Sequence, residues 1–342
     1  MAYETEGHET HYCFPAINSS CIKTKRSRHE YNIMYVFFSL LSVWTVFLNL
    51  LVIISISHFK RLHTPTNMLI LSLAVADLLV GLIAIPVEAI KLIETCWYFG
   101  EIFCGLFIIF LGFFLSVSLS NLVLIALDRF IAVIYPLLYT QKITMTKSLV
   151  GIFLSWFCSS AYLTAIVVSN GYFDPDTLKR LGVCYGECSF YISFGWRLTD
   201  LFVNFLFPCI TIITLYMKIF YVVHQQVKII NSLVKRGNNL TEGSVKRKTE
   251  HKAALTLSII VAIHLLCYIP FYIFFLTGST VIPESTASFL SWTMYMNSSV
   301  NPLVYAFFYP WFRKALKQII TLKIFRPAST LVDIFTIVHP SV

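Results

Sequence analysis

Hydrophobic residues along the chain gather into seven long segments separated by short polar stretches. The segments have approximate bounds at 33–57, 67–93, 102–134, 147–169, 194–224, 253–277 and 286–308. A helix needs about 20 apolar residues to cross the hydrocarbon core of a bilayer, so each segment is long enough to span a membrane. A transmembrane barrel would instead show many short segments of alternating polarity. The pattern therefore predicts an all-α membrane protein, a seven-transmembrane helix bundle.

The polar stretches divide the chain into three parts. We expect an extracellular N-terminus over 1–32, the transmembrane bundle over 33–308, and a short amphipathic eighth helix with a cytoplasmic tail over 309–342. The last part carries apolar residues at helical spacing, namely Trp311, Phe312, Leu316, Ile319 and Ile320. Because cations lie on the opposite side of this helix, it is predicted to lie along the membrane lipid. No Cys follows it that could carry a palmitate.

Composition and charge narrow the class of protein. Hydrophobic residues make up 57% of the 342 residues and charged ones only 13%, which argues against a soluble enzyme. The net charge of +9 does not indicate a nucleic-acid partner, because Lys and Arg lie in short loops between apolar spans. One side of the predicted membrane holds 16 of these cations and the other holds seven. This asymmetry predicts a multi-pass plasma membrane protein with its N-terminus outside.

Cysteine placement agrees with that orientation. Six of the nine cysteines fall on the predicted outside, where disulfides persist: Cys13, Cys21, Cys96, Cys104, Cys184 and Cys188. Six cysteines allow 15 pairings, so spacing alone does not choose among them. Cys158, Cys209 and Cys267 lie within helices and are expected to be packing residues. Asn18 begins an Asn-Ser-Ser sequence on the outside and is a predicted glycosylation site.

Polar residues inside the spans are informative, because each costs a few kcal/mol at the bilayer centre unless it faces protein, water or a bound partner. At mid-membrane depth, helices one, two, three and seven carry Asn49, Asp77, Ser118, Asn297 and Asn301. Two interpretations remain open. The residues either line a hydrated core that binds a small cation, or they form a hydrogen-bonded packing network between helices.

Several residues, taken in order, form a fingerprint across all seven helices. It consists of Asn49, Asp77 in Leu-Ala-Val-Ala-Asp, Cys104, Asp128-Arg129-Phe130, Trp156, Pro208, Pro270 in Cys-Tyr-Ile-Pro, and Asn301-Pro302-Leu303-Val304-Tyr305. This fingerprint resembles the rhodopsin-like G protein-coupled receptors. More narrowly, the stretch from Asn297 to Phe312 is similar to the seventh helix of the trace amine-associated receptors, most of which are olfactory amine sensors.

The resemblance implies a receptor for small amines that couples to a heterotrimeric G protein. The family favours the stimulatory, cyclic-AMP-raising class and expression in olfactory sensory neurons. It also implies two disulfides, one joining Cys104 to Cys188 and one joining Cys21 to Cys184, and leaves the other two outer cysteines unassigned. The second of these disulfides would tether the N-terminus to the second outer loop.

A charged switch is expected at the cytosolic end of helix three. Arg129 is predicted to pair with Asp128 and with Glu250, which begins the sixth span. When helix six moves outward, Arg129 should swing toward Tyr216 and Tyr305 and open a groove for a G protein helix. In the inactive receptor, an allosteric sodium ion is expected at Asp77, Ser118 and Asn301, because a buried carboxylate needs a counter-charge. No resident cofactor is expected.

The predicted ligand site departs from the usual family pattern. Amine receptors commonly carry an aspartate eighteen residues before Arg129, and that position here is Leu111. At a rise of 1.5 Å per residue, Leu111 lies about 27 Å outward of Arg129 and Asp200 about 12 Å outward of Pro208, so the two share a similar depth. Asp200 is therefore expected to bind the ammonium, as in some fish members of the family. Two alternatives remain: Asp200 pairs with Arg197, or the ligand is neutral.

An aromatic wall is expected around the ammonium. Its members are Tyr268, Phe271, Tyr272, Trp292 and Tyr295. They would contribute apolar burial and cation–π attraction, although each is equally compatible with ordinary packing. Glu88, near the outer end of helix two, is a second acid that would favour a diamine. His264, one turn inward of Tyr268, stands where the family commonly has Phe, and no role is assigned to it.

Other functional classes lack the residues they need. A retinal pigment requires a Lys on helix seven, and no Lys lies between Lys252 and Lys314. Seven spans without internal similarity argue against a transporter built from repeats. The chain has no zinc-protease, nucleophile-elbow or phosphate-loop motif, so it is not expected to be an enzyme.

Overall fold

The architecture is seen in a computed structural model, which describes residues 11–173, 182, 184–188, 192–235, 258–273, 276, 284–326 and 329–331. The main helices of these ranges are α1 (Arg28–His58), α2 (Pro65–Glu94), α3 (Glu101–Ile134), α4 (Met145–Ser169), α5 (Phe194–Leu201, continued by Phe202–Leu206 and Phe207–Lys235), α6 (Ser258–Ile273), α7 (Glu284–Phe308) and α8 (Pro310–Ile320). Within the described part, the helices α1 to α5 are long and apolar enough to cross a membrane. The predicted all-α bundle with a short eighth helix is confirmed.

Side-chain caps start the helices earlier than hydrophobicity alone indicates. Ser27 Oγ accepts a hydrogen bond from the backbone N–H of Glu30, and the Glu30 carboxylate accepts one from the backbone N–H of Ser27. This reciprocal capping box satisfies two backbone donors that a helix otherwise leaves open. It begins α1 at Arg28, five residues before the first apolar segment was predicted to begin.

Two helices carry a π-helical turn, at Val80–Ala84 within α2 and at Phe202–Leu206 within α5. Such single turns often occur at functional sites and change the face that the following residues present. The turn in α5 lies between Asp200 and Pro208. The uniform α-helical rise used to predict the depth of Asp200 therefore does not hold along this segment.

The apolar side of α8 packs on the bundle. Trp311, Phe312 and Ala315 are buried, and Leu316 and Ile319 contact the same hydrophobic cluster at the cytosolic ends of the other helices. Most of this apolar face therefore packs against α1 and α7, and the placement of α8 along the membrane surface stays a prediction. The exposed member of the predicted set is Ile320.

Three disulfides tie the extracellular segments together. They join Cys13 to Cys96, Cys21 to Cys184 and Cys104 to Cys188. The last two are the pairs that the family resemblance implies. The first joins the two outer cysteines that the sequence left unassigned, and it connects the N-terminal segment to the loop after α2. Cys158, Cys209 and Cys267 are free.

Polar contacts also hold the N-terminal segment against the outer end of α2. Lys23 Nζ lies 2.6 Å from Glu94 Oε2, and the Tyr35 hydroxyl donates to Glu94 Oε1 at 2.7 Å. The hydrogen bond to Glu94 raises the pKa of Lys23 above its ordinary value. Asn18 is exposed on the same segment, as a glycosylation acceptor must be.

Candidate functional site

Asp200 lies on the outer part of α5 and is only partly exposed. Asn204 Nδ2, one turn further along, donates to Asp200 Oδ1 at 2.7 Å, and the Tyr272 hydroxyl of α6 donates to Oδ2 at 3.4 Å. Tyr162 of α4 also lies beside Asp200 and interacts with its carboxylate. These neighbours are all neutral. Within the described part of the chain, Asp200 has no ion pair.

The amide of Asn204 is oriented from its other side. Ser116 Oγ of α3 donates to Asn204 Oδ1 at 3.1 Å, and Ser159 Oγ of α4 lies 3.0 Å from Ser116 Oγ. Because the amide oxygen is used as an acceptor, the amide nitrogen is directed at Asp200. This chain of polar groups links three helices behind the carboxylate. These contacts were not predicted, because residues on different helices share no spacing along the sequence.

Arg197, the alternative partner of Asp200, is engaged elsewhere. Its guanidinium carbon lies 5.8 Å from the centroid of the Phe194 ring, and its Nε is buried without a hydrogen-bond partner in the described region. The side chain therefore makes a cation–π contact on its own helix. The ion pair between Arg197 and Asp200, which the sequence left open as an alternative, is therefore not formed.

The five predicted wall aromatics divide between two clusters. Tyr268 and Tyr272 pack with Phe205, Cys209 and Met294, and Phe271 joins this cluster from its edge. Phe205 stacks on Tyr272 with ring centroids 4.5 Å apart, and it was not among the predicted site residues. These residues border the Asp200 side of the bundle.

Trp292 and Tyr295 belong to the second cluster. Trp292 stacks on Phe38 of α1 with ring centroids 3.9 Å apart, and Leu111 packs against the same group. Trp292 thus packs against α1, and its contribution to a wall around the ammonium stays a prediction. Leu111 is partly buried there and presents no charge.

Glu88, the predicted second acid, has a cation of its own. Its Oε1 lies 3.6 Å from Lys91 Nζ, one turn along the same helix. The carboxylate side chain is 17% exposed and the Lys91 side chain is 38% exposed. Because a carboxylate accepts hydrogen bonds from several donors, Lys91 does not exclude a second ammonium, and the diamine site stays a prediction.

Asp77 sits at the centre of a fully buried polar group. Ser118 Oγ donates to Asp77 Oδ1 at 3.3 Å, and Asn301 Nδ2 donates to Asp77 Oδ2 at 2.8 Å. The three residues predicted to hold sodium are therefore together, and their carboxylate and hydroxyl oxygens suit a hard cation. The hydrogen bonds between them are also those expected of a packing network.

Other polar residues of the core join different helices. Asn49 Nδ2 donates to the backbone carbonyls of Thr45 and Ser298 at 2.9 and 3.0 Å. Asn297 contacts α6, since its Nδ2 lies 3.3 Å from Nδ1 of His264. His264 also stacks on Tyr268, with ring centroids 4.0 Å apart. The buried imidazole thus bridges α6 and α7.

Arg129 lies in a compact polar network at the cytosolic end of α3. Its Nη2 lies 2.5 Å from Asp128 Oδ2, as predicted, and it also donates to Thr66 and, at 3.3 Å, to the Tyr139 hydroxyl. Asp128 accepts further hydrogen bonds from Thr66 and Tyr139, each at 2.8 Å. Glu250 lies outside the described residues. Thr66 and Tyr139 were not predicted, since they come from α2 and the second cytosolic loop.

Tyrosines of α5 and α7 lie close to this network. Tyr216 of α5 and Tyr305 of α7 are buried in the cytosolic hydrophobic cluster. Tyr216 and Tyr309 lie within electrostatic range of Arg129. The hydroxyls of Tyr305 and Tyr309 are buried without hydrogen-bond partners among the described residues. They are therefore unoccupied acceptors for an arginine that leaves Asp128.

Comparison with known proteins agrees with this geometry. The family described as 7 transmembrane receptor (rhodopsin family) matches residues 48–305. Trace amine-associated receptor 13c of Danio rerio is 39% identical over 332 residues, covering 95% of this chain and 96% of that relative. Trace amine-associated receptor 9 of Mus musculus is 39% identical and that of Homo sapiens 38%, each over 95% of this chain and 94% of the relative.

The chain therefore belongs to the rhodopsin family of seven-transmembrane receptors and, within that family, to the trace amine-associated receptors. A receptor of this family is a multi-pass membrane protein that acts through a G protein and is not an enzyme. The predicted family, fold class and absence of an enzymatic role are confirmed.

Proposed function

We propose that the protein is a receptor activated by small amines, with the ligand ammonium bound by Asp200. The observation that carries this proposal is a partly buried carboxylate whose described neighbours are all neutral. An ionised carboxylate in such a place is costly without a counter-charge. An amine ligand supplies one, and the names of the relatives refer to amines.

The interaction has two physical parts. A hydrogen bond between an ammonium and a carboxylate contributes roughly 1.5 to 3 kcal/mol. The rings of Tyr272 and Phe271 add cation–π attraction and remove apolar surface from water. Leu111, at the usual position of the amine-binding acid on α3, contributes only apolar surface. The ammonium would thus bind on the α5 and α6 side of the cavity.

Signal output is proposed to follow from the Arg129 network. In the resting state Asp128, Thr66 and Tyr139 hold the arginine. Outward movement of α6 would release it toward Tyr216 and Tyr305 and expose a groove for a G protein. The family resemblance favours the stimulatory, cyclic-AMP-raising G protein, a plasma membrane location with the N-terminus outside, and olfactory sensory neurons.

Asp77, Ser118 and Asn301 are proposed to bind sodium in the resting receptor. Their oxygen-rich, buried grouping suits a small hard cation, and the ion would neutralise the carboxylate. A ligand that favours the active arrangement would then be opposed by sodium, because each shifts the equilibrium toward the state it prefers.

The experiment compares Asp200→Ala with the wild-type receptor in transfected cells. A panel of amines and their uncharged isosteres is tested, with G protein activation and cyclic AMP as separate readouts. Asp200→Ala should abolish amine responses while surface expression persists, and Asp200→Glu should retain part of them. Arg197→Ala is the matched control and should respond normally, because Arg197 makes no ion pair with Asp200. Unchanged potency of the best amine in Asp200→Ala would favour a neutral ligand.

A further inference from the structure

Three neighbouring helices bring polar side chains to the same carboxylate. Tyr162 comes from α4, Asp200 from α5 and Tyr272 from α6. The Tyr272 hydroxyl donates to Asp200 Oδ2 at 3.4 Å, and Tyr162 interacts with the same carboxylate. Asn204 donates to Oδ1 from one turn further along α5. Two phenol hydroxyls, one from α4 and one from α6, therefore lie beside the group that would bind an ammonium.

Neighbouring rings fix the positions of both tyrosines. Tyr272 is buried, and its ring stacks on Phe205 with centroids 4.5 Å apart. Phe271 contacts the Tyr272 ring edge-on at a centroid distance of 5.7 Å, and Trp196 contacts the Tyr162 ring in the same way at 6.4 Å. Because packing holds the rings, their hydroxyls should stay beside the carboxylate when a ligand binds.

The hydrogen-bonding capacity of these groups defines what they leave open to a cation. The carboxylate of Asp200 has about four acceptor positions. Its described neighbours Asn204, Tyr272 and Tyr162 fill three of them. A phenol has one proton to donate, and its oxygen also accepts hydrogen bonds. With their protons directed at the carboxylate, both tyrosines present their oxygens as acceptors. The site therefore offers a bound cation one carboxylate position and two phenol oxygens.

We infer that this arrangement selects primary amines, because the three N–H groups of a primary ammonium match the acceptors at Asp200, Tyr162 and Tyr272. The inference rests on the binding of the ammonium by Asp200 that is proposed above, and it adds the class of amine. Each N-methyl group removes one N–H and leaves one of the acceptors without its partner. A trimethylammonium carries the same charge but has no donor, so it keeps only the attraction between opposite charges.

Methylation of an amine changes a second quantity, because each added methyl group also brings apolar burial that favours binding. The order of potency within an amine series therefore does not by itself reveal the hydrogen bonds. Removal of one tyrosine hydroxyl does reveal them, since it takes a partner from a primary amine and takes little from a fully methylated one. A hydrogen bond to a charged group changes affinity about tenfold or more.

The test measures potency and surface expression in transfected cells. The probes are phenethylamine, pentylamine, and the N-methyl, N,N-dimethyl and trimethylammonium derivatives of each. In the wild-type receptor the primary amine should be the most potent member of each series. Tyr162→Phe and Tyr272→Phe should each lower the potency of the primary amines about tenfold, and lower that of the dimethyl derivatives less. Tyr221→Phe, at an exposed position elsewhere on α5, is the matched control and should keep the wild-type order.

Asp200→Ala separates this inference from the proposed function. Responses that persist in Asp200→Ala would mean that the ammonium does not bind there, and the proposed function would fail. If Asp200→Ala abolishes the responses but methylated amines equal or exceed the primary amines in the wild type, only the selectivity is wrong. The selectivity would also be overturned by a wild type that neither primary amine activates. An unchanged preference for primary amines in both Tyr162→Phe and Tyr272→Phe would overturn it too, because size alone would then explain the order.

Discussion

Asn204 Nδ2 lies 2.7 Å from Asp200 Oδ1 and presents a neutral donor to the carboxylate from one turn further along α5. Its own oxygen is bound by Ser116, so the amide cannot turn away without losing both contacts. Asp200 is thereby held in position without its charge being neutralised. The carboxylate remains available to a cationic ligand. Substitution of Asn204 therefore tests the hydrogen bond to Asp200 while keeping the negative charge.

Asn204→Leu should weaken amine responses without abolishing them. The substitution removes a hydrogen bond worth about 0.5 to 1.5 kcal/mol but keeps the carboxylate, so potency should fall about two- to tenfold. Dose–response curves for the best amine measure this. Thr199→Val, on an exposed side chain that bonds only its own helix, is the control. A loss as complete as that of Asp200→Ala would mean that Asn204 contacts the ligand itself.

Thr66→Ala should raise ligand-independent signalling. Thr66 donates to Asp128 and accepts from Arg129, so its loss weakens the network that holds the arginine. A hydrogen bond to a charged group contributes about 1.5 to 3 kcal/mol, enough to shift a resting equilibrium at least tenfold. Basal cyclic AMP, normalised to surface expression, reports the change.

Glu250→Ala is expected to act in the same direction, because this acid, predicted at the start of the sixth span, would also hold Arg129. Thr211→Val, a partly buried position on α5 whose hydroxyl donates to the Phe207 carbonyl, should leave basal output unchanged. If both Thr66→Ala and Glu250→Ala kept wild-type basal output at full expression, the proposed lock would be wrong.

Asp77→Asn should make agonist affinity insensitive to sodium. The amide keeps similar hydrogen bonds with Ser118 and Asn301 but carries no charge to hold the ion. Agonist binding to purified receptor is measured with sodium and with a bulky organic cation at equal ionic strength. His264→Phe, which leaves the Asp77 group intact, should retain the sodium effect. Equal sodium sensitivity in Asp77→Asn and wild type would exclude this site.

Removing the disulfide between Cys13 and Cys96 should lower stability while leaving the ligand site in place. The bridge closes a loop with a sequence separation of 83, and disulfides commonly contribute about 2 to 4 kcal/mol. Cys13→Ser with Cys96→Ser should therefore reduce the thermal unfolding temperature of the purified receptor. Amine potency should change little, because the bridge lies on the N-terminal segment. Non-reducing peptide mapping that joins Cys13 to another cysteine would contradict the assignment.

Sequence alone determined the features that depend on composition or on spacing within one segment. The apolar runs located the membrane spans, because crossing a bilayer demands a continuous hydrophobic length. Two contacts that were not predicted, the Ser27 capping box and the Glu88–Lys91 pair, each join residues three positions apart. Spacing within one segment could therefore have indicated them. The family fingerprint supplied the pairing of Cys104, which spacing could not.

Tertiary structure decided the features that depend on how helices are rotated and which loops meet. Trp292 stacks on Phe38 because the rotation of α7 about its axis is set by packing against α1. The contacts of Asn204 with Ser116 and of Thr66 with Asp128 join different helices, so only the packing of those helices defines them. An amphipathic pattern states that one side of a helix is apolar, but it does not state what covers that side. For this reason the apolar face of α8 was predicted from the sequence, whereas its contact with α1 and α7 was not.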